Sequence, residues 1–169
     1  MAPIEFRAPW CKELKTATII SIVILAGVAL AGLLVKQMPL AVAAALIGLP
    51  LAVIVASLLF MVRGYVLTDE AIIIRRGGWD TRLPLAGLRS VAGDVEAMQR
   101  SIRLFGNGGL FSFSGEFWNR KLRRYRALAT DPSRAVVLRY PKRTIVITPH
   151  DPQHFIMRAR TLIKVADFR

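Results

Sequence analysis

This sequence of 169 residues has a single cysteine and almost no charged side chains between residues 16 and 62. Cys11 is the single cysteine, so no disulfide can form within the chain; we interpret it as a plain juxtamembrane thiol, with S-acylation as the alternative. Residues 16–62 contain one charged side chain, Lys36, and the apolar runs on either side of it hold no Asp, Glu, Arg or His. Ionisable groups inside a membrane typically mark an ion or proton path, so their absence argues against a channel or a transporter.

Each of the two apolar runs, residues 16–35 and residues 40–62, is long enough to cross a lipid bilayer. At about 1.5 Å of rise per residue, some twenty helical residues span the hydrocarbon core of about 30 Å. The first run is too long for a secretory signal peptide, and the second follows after only residues 36–39. The sequence therefore predicts an antiparallel transmembrane hairpin that serves as an anchor.

Positive charge is distributed unevenly around the predicted hairpin. The connecting loop has only Lys36, whereas the flanks on the other side carry Arg7, Lys12 and Lys15 before the first span and Arg63, Arg75 and Arg76 after the second. Because positively charged loops stay in the cytoplasm, both termini are predicted there and the loop outside. The predicted segments are a cytoplasmic flank (1–15), the first span (16–35), an external loop (36–39), the second span (40–62) and a cytoplasmic domain (63–169).

Small residues recur at helical spacing in both predicted spans. They are Ala44, Gly48, Ala52 and Ala56 in the second span, with Gly27 and Ala31 in the first. Small side chains allow membrane helices to approach each other closely. We expect these residues to pack the two helices together within the hairpin, with a homodimer face as the alternative.

The domain after residue 63 is predicted to consist mainly of β-strands. Short β-branched or alternating segments are separated by turn residues, and Gly106–Gly109 is expected to be a flexible turn. Asp151 followed by Pro152 predicts the start of a C-terminal helix with one apolar face. The predicted extended segments are residues 65–68, 71–75, 79–85, 88–91, 111–114, 134–140 and 143–148, the last two as a hairpin.

Several sequence landmarks occur in an order that resembles one family, the bacterial pleckstrin-homology-like (PH) domains. GYVLTDEAIIIRRGGWDTRLPLAGLRSV (64–91) resembles the opening strand pair, glycine turn and Pro-Leu dipeptide of these domains, and FGNGGLFSFSGEFWN, RYRALATD and RTIVITPHDPQHFI resemble later landmarks. The resemblance implies a mainly-β barrel of about seven strands closed by a C-terminal α-helix. It also implies the bacterial inner membrane, because similar members are often fused to membrane spans. It implies no particular activity, since the fold serves as a scaffold for many partners.

The sequence offers no convincing catalytic, metal or cofactor site. His150 and His154 have a spacing that zinc could use, but no third ligand is evident nearby. The Gly106–Gly109 segment lacks the Lys-Ser/Thr that follows in a phosphate-binding loop. We therefore predict a protein that is not an enzyme and that holds no cofactor.

A cluster of positive and aromatic residues is the strongest candidate for a contact surface. Residues 117–126 hold five cations and three aromatic residues, in a chain whose net charge is +13. Cations near an anionic leaflet attract its headgroups, and Trp and Tyr suit that level of the membrane. The alternative is a solvated basic segment whose charge only reflects topology. The predicted contacts are Trp118, Arg120, Lys121, Arg123, Arg124, Tyr125 and Arg126.

Two functional interpretations follow from these features. The first is a membrane-anchored binding or scaffold module whose basic barrel contacts a protein partner, such as another membrane protein or a second copy of the chain. The alternative is a module that senses anionic lipid headgroups. Phosphoinositide binding is not expected, because the corresponding loop, Thr68-Asp69-Glu70, is short and acidic. Nucleic-acid binding is disfavoured, because no recognised reading signature accompanies the charge.

Overall fold

The computed structural model describes residues 3–35 and 39–166, with only the backbone given for residues 164–166. Lys36 and the rest of the predicted external loop up to residue 38 lie outside the described residues. In the described residues the elements are two long helices, ten strands, a short 3-10 helix (Pro132–Arg134) and a C-terminal helix. The order of elements places one strand before the long helices and nine after them.

The long helices are α1 (Lys12–Leu34) and α2 (Leu40–Phe60), and both are long and apolar enough to cross a membrane. Only 11% and 6% of their most apolar windows are buried inside the protein, so they are not core helices of a soluble fold. α1 begins earlier than the apolar run because Cys11 caps it, with its Sγ accepting a bond of 3.4 Å from the Leu14 amide. α2 ends at Phe60, just before the first strand of the domain.

The closest approach of α1 to α2 differs from the one expected. A Cβ on Gly32 would lie 2.9 Å from Leu46 Cβ and 3.3 Å from the Ala43 carbonyl oxygen, so the helices meet there. A Cβ on Gly27 or Gly48 would meet nothing within 4 Å. All six residues of the predicted stripe (Gly27, Ala31, Ala44, Gly48, Ala52 and Ala56) are exposed. Gly27 and Gly48 therefore make no close packing contact within the hairpin, and the homodimer face stays a prediction.

The first sheet is antiparallel and consists of β1 (Ile4–Arg7), β2 (Val62–Leu67), β3 (Ala71–Arg76) and β4 (Asp80–Pro84), in that order. Pro84, which cannot donate to a ladder, ends the edge strand β4. β1 was not predicted, because it lies in the basic flank before α1. It pairs with β2 in a register that sets Arg7 opposite Gly64, so the helical hairpin is inserted between two neighbouring strands.

The second sheet has six strands in the order β5-β9-β10-β8-β7-β6. All its neighbours are antiparallel except β8 and β10, and β9 and β10 form the predicted hairpin. Its strands are β5 (Ser90–Gly93), β6 (Ile102–Gly108), β7 (Phe113–Asn119), β8 (Arg123–Ala129), β9 (Val136–Arg139) and β10 (Thr144–Ile147).

The glycine-rich segment at residues 106–109 is not a turn throughout, as was expected, because Gly106 and Gly108 belong to β6. Gly106 lies opposite Gly115 of β7, with φ angles of +101° and +153°. A Cβ on Gly115 would lie 2.1 Å from the Phe105 carbonyl oxygen, so the glycines are required by a close approach of two strands. The tighter turn follows, at residues 109–112.

α3 (Pro152–Ala166) begins as predicted, since Asp151 Oδ1 accepts a bond of 2.9 Å from the His154 amide. Phe155 and Ala159 of α3 are fully buried in a core that both sheets share. Tyr65 ties the sheets together: its hydroxyl donates to the Leu128 carbonyl at 2.7 Å, and burial raises its pKa to about 12. In the described part of the chain the two sheets stay separate, and no ladder closes them into a barrel.

The β1 strand completes the core, so its loss should destabilise the domain. The Phe6 ring is 7% exposed and lies 5.1 Å from the Phe155 ring. We expect Phe6→Ala to lower the free energy of unfolding by about 3 kcal/mol, as for other buried Phe truncations. The matched control is Glu5→Ala, which removes an exposed ion pair to Arg75 and should cost less than about 1 kcal/mol. Urea unfolding of the full chain in detergent checks this, and equal effects would exclude β1 from the core.

Candidate functional site

The first turns of α1 contact the β-rich domain directly. Thr18 is 4% exposed, and its Oγ1 donates to the Gly109 carbonyl and accepts from the Phe111 amide, both at 3.1 Å. The Cys11 amide donates to the Thr130 carbonyl at 3.3 Å. Burial raises the pKa of the Cys11 thiol, which reduces its thiolate fraction near neutral pH. Thr18, which the sequence placed inside the first span, is thus a contact between helix and domain.

The end of α2 forms a second and closer contact, with the turn between β3 and β4. The Gly77 amide donates to the Met61 carbonyl and the Gly78 amide to the Leu59 carbonyl, each at 3.0 Å. A Cβ on Gly77 would lie 1.9 Å from the Leu58 carbonyl oxygen, so only glycine fits there. The helix end and the turn are therefore in backbone contact.

Arg76, the last residue of β3, is held beneath this contact. It is 5% exposed, and its guanidinium carbon lies 5.8 Å and 5.7 Å from the ring centres of Phe60 and Trp79. Its Nε and Nη2 atoms are buried without a hydrogen-bond partner, and no carboxylate pairs with it within the described ranges. Burial lowers the pKa of Arg76, and the like charge of Arg126 lowers it further.

A crevice of about 600 Å³ opens beside Arg76, between the end of α2 and the second sheet. One wall is apolar and includes Val53, Ala56 and Phe60 of α2. The charged part of the lining consists of Arg76, Arg103 and Arg126 with a single carboxylate, Glu116. Glu116 binds Arg124 at 3.1 Å, so its charge is already engaged. We call this space the arginine crevice; its lining combines an apolar part with a net positive one.

The predicted basic cluster forms the β7–β8 hairpin, but the structure does not bring its residues onto one surface. Lys121 at the tip pairs with Asp94 at 2.7 Å and with Glu96 at 3.6 Å. The guanidinium of Arg123 lies 5.9 Å from the centre of the half-buried Trp118 ring.

Three further members of the cluster have different surroundings. Tyr125 is 1% exposed and donates to Ser101 Oγ at 2.7 Å, so it belongs to the core and cannot lie at headgroup level. Arg126 lines the arginine crevice, and Arg120 is exposed at the hairpin tip. Among these charged side chains, only Arg120 and Arg126 make no ion pair or ring contact within the part of the chain that the structure describes.

The two histidines considered as metal ligands have other surroundings. The His154 ring lies 5.6 Å from the Phe6 ring, and its Nε2 accepts a bond of 3.4 Å from Arg158. His150 is exposed. No group of three or more His, Cys, Asp or Glu side chains capable of holding a metal occurs in residues 3–35 and 39–163, where side chains are described.

Comparison with known proteins identifies the family. Residues 63–163, more than half of the chain, match the model of the bacterial PH domain. The chain belongs to the bacterial PH domain family. This family is typically non-catalytic. No curated protein and no solved structure matches the chain.

Sequence reasoning missed the residues that matter most for the crevice of this PH domain. Arg76 was used only as evidence of topology, and Arg103 and Phe105 were not singled out. The one local signal is Arg76-Gly77-Gly78-Trp79, in which a cation and an aromatic residue flank a glycine pair. This segment becomes informative only through its contact with the end of α2, and a local sequence pattern does not reveal that contact.

The glycine contact gives a direct prediction for the PH domain. Gly77→Ala should destabilise the full chain by about 2 kcal/mol, because the new methyl group meets a backbone oxygen that cannot move aside. Hydrogen exchange at residues 76–79 should also accelerate. The matched control is Gly48→Ala in α2, where an added Cβ meets nothing within 4 Å. Thermal unfolding in detergent compares them, and identical midpoints would show that the turn does not press on α2.

Proposed function

We propose that this chain is a two-pass protein of the bacterial inner membrane, whose PH domain is a non-catalytic binding module fixed to the cytoplasmic face. The apolar lengths of α1 and α2 support the two spans, and the basic flanks support cytoplasmic termini. The proposed segments are the flank (1–15), the spans (16–35 and 40–62), the external loop (36–39) and the domain (63–169).

The observation that carries this proposal is the absence of a flexible linker between the helices and the PH domain. A single residue, Met61, separates α2 from β2, and residues 8–11 separate β1 from α1. The Thr18 and Gly77 contacts then hold the domain against both helices. A domain mounted in this way keeps one orientation relative to the membrane, which suits a scaffold that presents a defined surface.

The topology can be tested with single cysteines in a Cys11→Ser background. Gln37→Cys, in the proposed external loop, should react in intact cells with a maleimide that cannot cross the membrane. Arg120→Cys, exposed in the PH domain, should react only after permeabilisation. Labelling of Arg120→Cys in intact cells would overturn the proposed orientation, whatever the domain binds.

The partner surface that the geometry favours is the edge strand β6. Edge strands expose unpaired backbone groups and are usually protected, yet Ile102, Leu104 and Phe105 are 61%, 54% and 78% exposed. The exposed cations Arg100 and Arg103 lie in or next to the same strand. An extended protein segment with apolar and acidic residues would pair with this edge through its backbone and with the arginines through its charge.

Photo-crosslinking in native membranes tests whether a protein partner binds at the β6 edge. A photoreactive residue at Ile102 should give an adduct of discrete mass, and Arg100→Glu should reduce its yield several-fold. The control position is Met157 on α3, whose exposure of 62% matches that of Ile102. A mass of twice the chain would identify a second copy as the partner. Equal yields at both positions, or adducts to lipid alone, would contradict a protein partner at β6.

Anionic lipid remains the second candidate ligand, and a specific observation favours it. The unpaired Arg126 and the buried Arg76 both face the arginine crevice, beside a helix that is apolar enough to lie in lipid.

A further inference from the structure

We propose that the arginine crevice binds the anionic headgroup of one phospholipid molecule, with Arg76 as the side chain that receives its phosphate. This inference rests on the proposed membrane topology and goes beyond it. It concerns a cavity between helix and domain that shares Arg103 and Phe105 with the β6 strand, whereas Arg76 and Arg126 lie outside that strand.

The first argument is the unpaired guanidinium of Arg76. Buried charges in proteins are normally paired, because an isolated one loses its hydration without compensation. Arg76 is 5% exposed, its Nε and Nη2 have no partner among the described residues, and the like charge of Arg126 acts on it. The Phe60 and Trp79 rings offset only part of this cost. An anion between Arg76 and Arg126 would replace repulsion by attraction.

The second argument is the geometry of the donors. Guanidinium groups bind phosphate through two parallel N–H donors, and Nε and Nη2 of Arg76 have no other partner among the described residues. Arg103 and Arg126 line the same crevice, so three cations face one carboxylate whose charge Arg124 engages. The crevice can therefore accept a negative group without first breaking an internal ion pair of Arg76.

The third argument distinguishes a lipid from a soluble anion. The apolar wall of the crevice comes from Val53, Ala56 and Phe60, all within the apolar helix α2. A free phosphate would leave this wall in contact with water, whereas the upper part of an acyl chain would cover it. The volume of about 600 Å³ exceeds the need of a phosphate ion and suits a headgroup with the first carbons of its chains.

The fourth argument is the distribution of charge between the turns of the first sheet and the crevice. The turn between β2 and β3 contains two acidic residues, Asp69 and Glu70. Glu70 pairs with Arg82 at 2.7 Å on the exposed surface. The first sheet therefore offers no cationic turn at that point, and the cations gather instead where the second sheet meets α2.

Native mass spectrometry of the full-length protein in mild detergent tests the proposal. Titration with phosphatidylglycerol should show one tightly bound lipid, and phosphatidylcholine should bind at least tenfold more weakly. Arg76→Gln should weaken phosphatidylglycerol binding at least tenfold. The matched control is Arg143→Gln, which removes another arginine stacked on a ring, 5.0 Å from the Tyr140 centre, outside the crevice. That variant should bind like the wild type.

A second variant keeps the test decisive if Arg76→Gln does not fold. Arg126→Gln changes an exposed strand position on the crevice wall and should also weaken binding several-fold. Inorganic phosphate and glycerol phosphate, added as competitors at the concentration of the lipid, should not displace it. Displacement by either would assign the site to a soluble phosphate. Equal binding of both lipids, or no effect of both crevice variants, would overturn the proposal.

The outcome of the lipid-binding measurement is independent of the topology experiment. If Gln37→Cys and Arg120→Cys label as expected while lipid binding fails, the crevice assignment is wrong and the membrane-fixed module stands. If the labelling fails, the module itself is wrong.

Discussion

The backbone contact between the Gly77–Gly78 turn and the end of α2 is the constraint on which the candidate site depends. Because a Cβ on Gly77 would lie 1.9 Å from the Leu58 carbonyl oxygen, the turn can lie against the helix only if it lacks side chains. This approach sets Trp79 4.6 Å from Phe60 and leaves Arg76 beneath both rings. The arginine crevice is therefore a consequence of where α2 ends.

The burial of Arg76 raises the question of why the position is not apolar. Replacing a buried charge by a well-packed apolar residue is often neutral or stabilising, so stability alone does not favour arginine here. A salt bridge would have satisfied the charge, but the described residues provide none for Arg76. A charge that is buried and in contact with two rings is preorganised, because little conformational freedom is lost when an anion arrives. The stability lost by burying Arg76 without a partner is explained if an anion is bound to it when the protein functions.

Local patterns in the sequence predicted the elements that depend on local chemistry. The two long helices followed from hydropathy, α3 from the Asp151 cap, and the β9–β10 hairpin from two β-branched runs around a short turn. The family followed from the order of several weak landmarks between residues 64 and 163.

What the sequence could not predict depends on contacts between distant segments. β1 is a four-residue strand whose partner, β2, comes after the entire helical hairpin. β6 was missed because Gly106 and Gly108 resemble turn residues, although Gly106 is required by the close approach of β6 to Gly115 of β7. Of the predicted basic cluster, Arg126 reaches the crevice while Tyr125 is buried, because successive residues of β8 point to opposite faces of the sheet. Arg76 is a candidate binding residue only because Phe60 of α2 packs against it.

The insertion of the hairpin between β1 and β2 couples the two long helices to the PH domain, so that neither can move independently of the other. Adjacent strands lie about 4.8 Å apart, whereas packed helices have axes about 8 to 10 Å apart, so the chain must bridge a difference of only about 3 to 5 Å between the hairpin and the strands it joins. Residues 8–11 provide the remaining reach, and Met61 alone suffices on the other side. A shift of α2 relative to α1 must therefore change either the β1–β2 ladder or the Gly77 contact. Because the arginine crevice lies at that contact, an anionic group bound there would stabilise one arrangement of helices and domain, and the surface that the domain presents would be held with it.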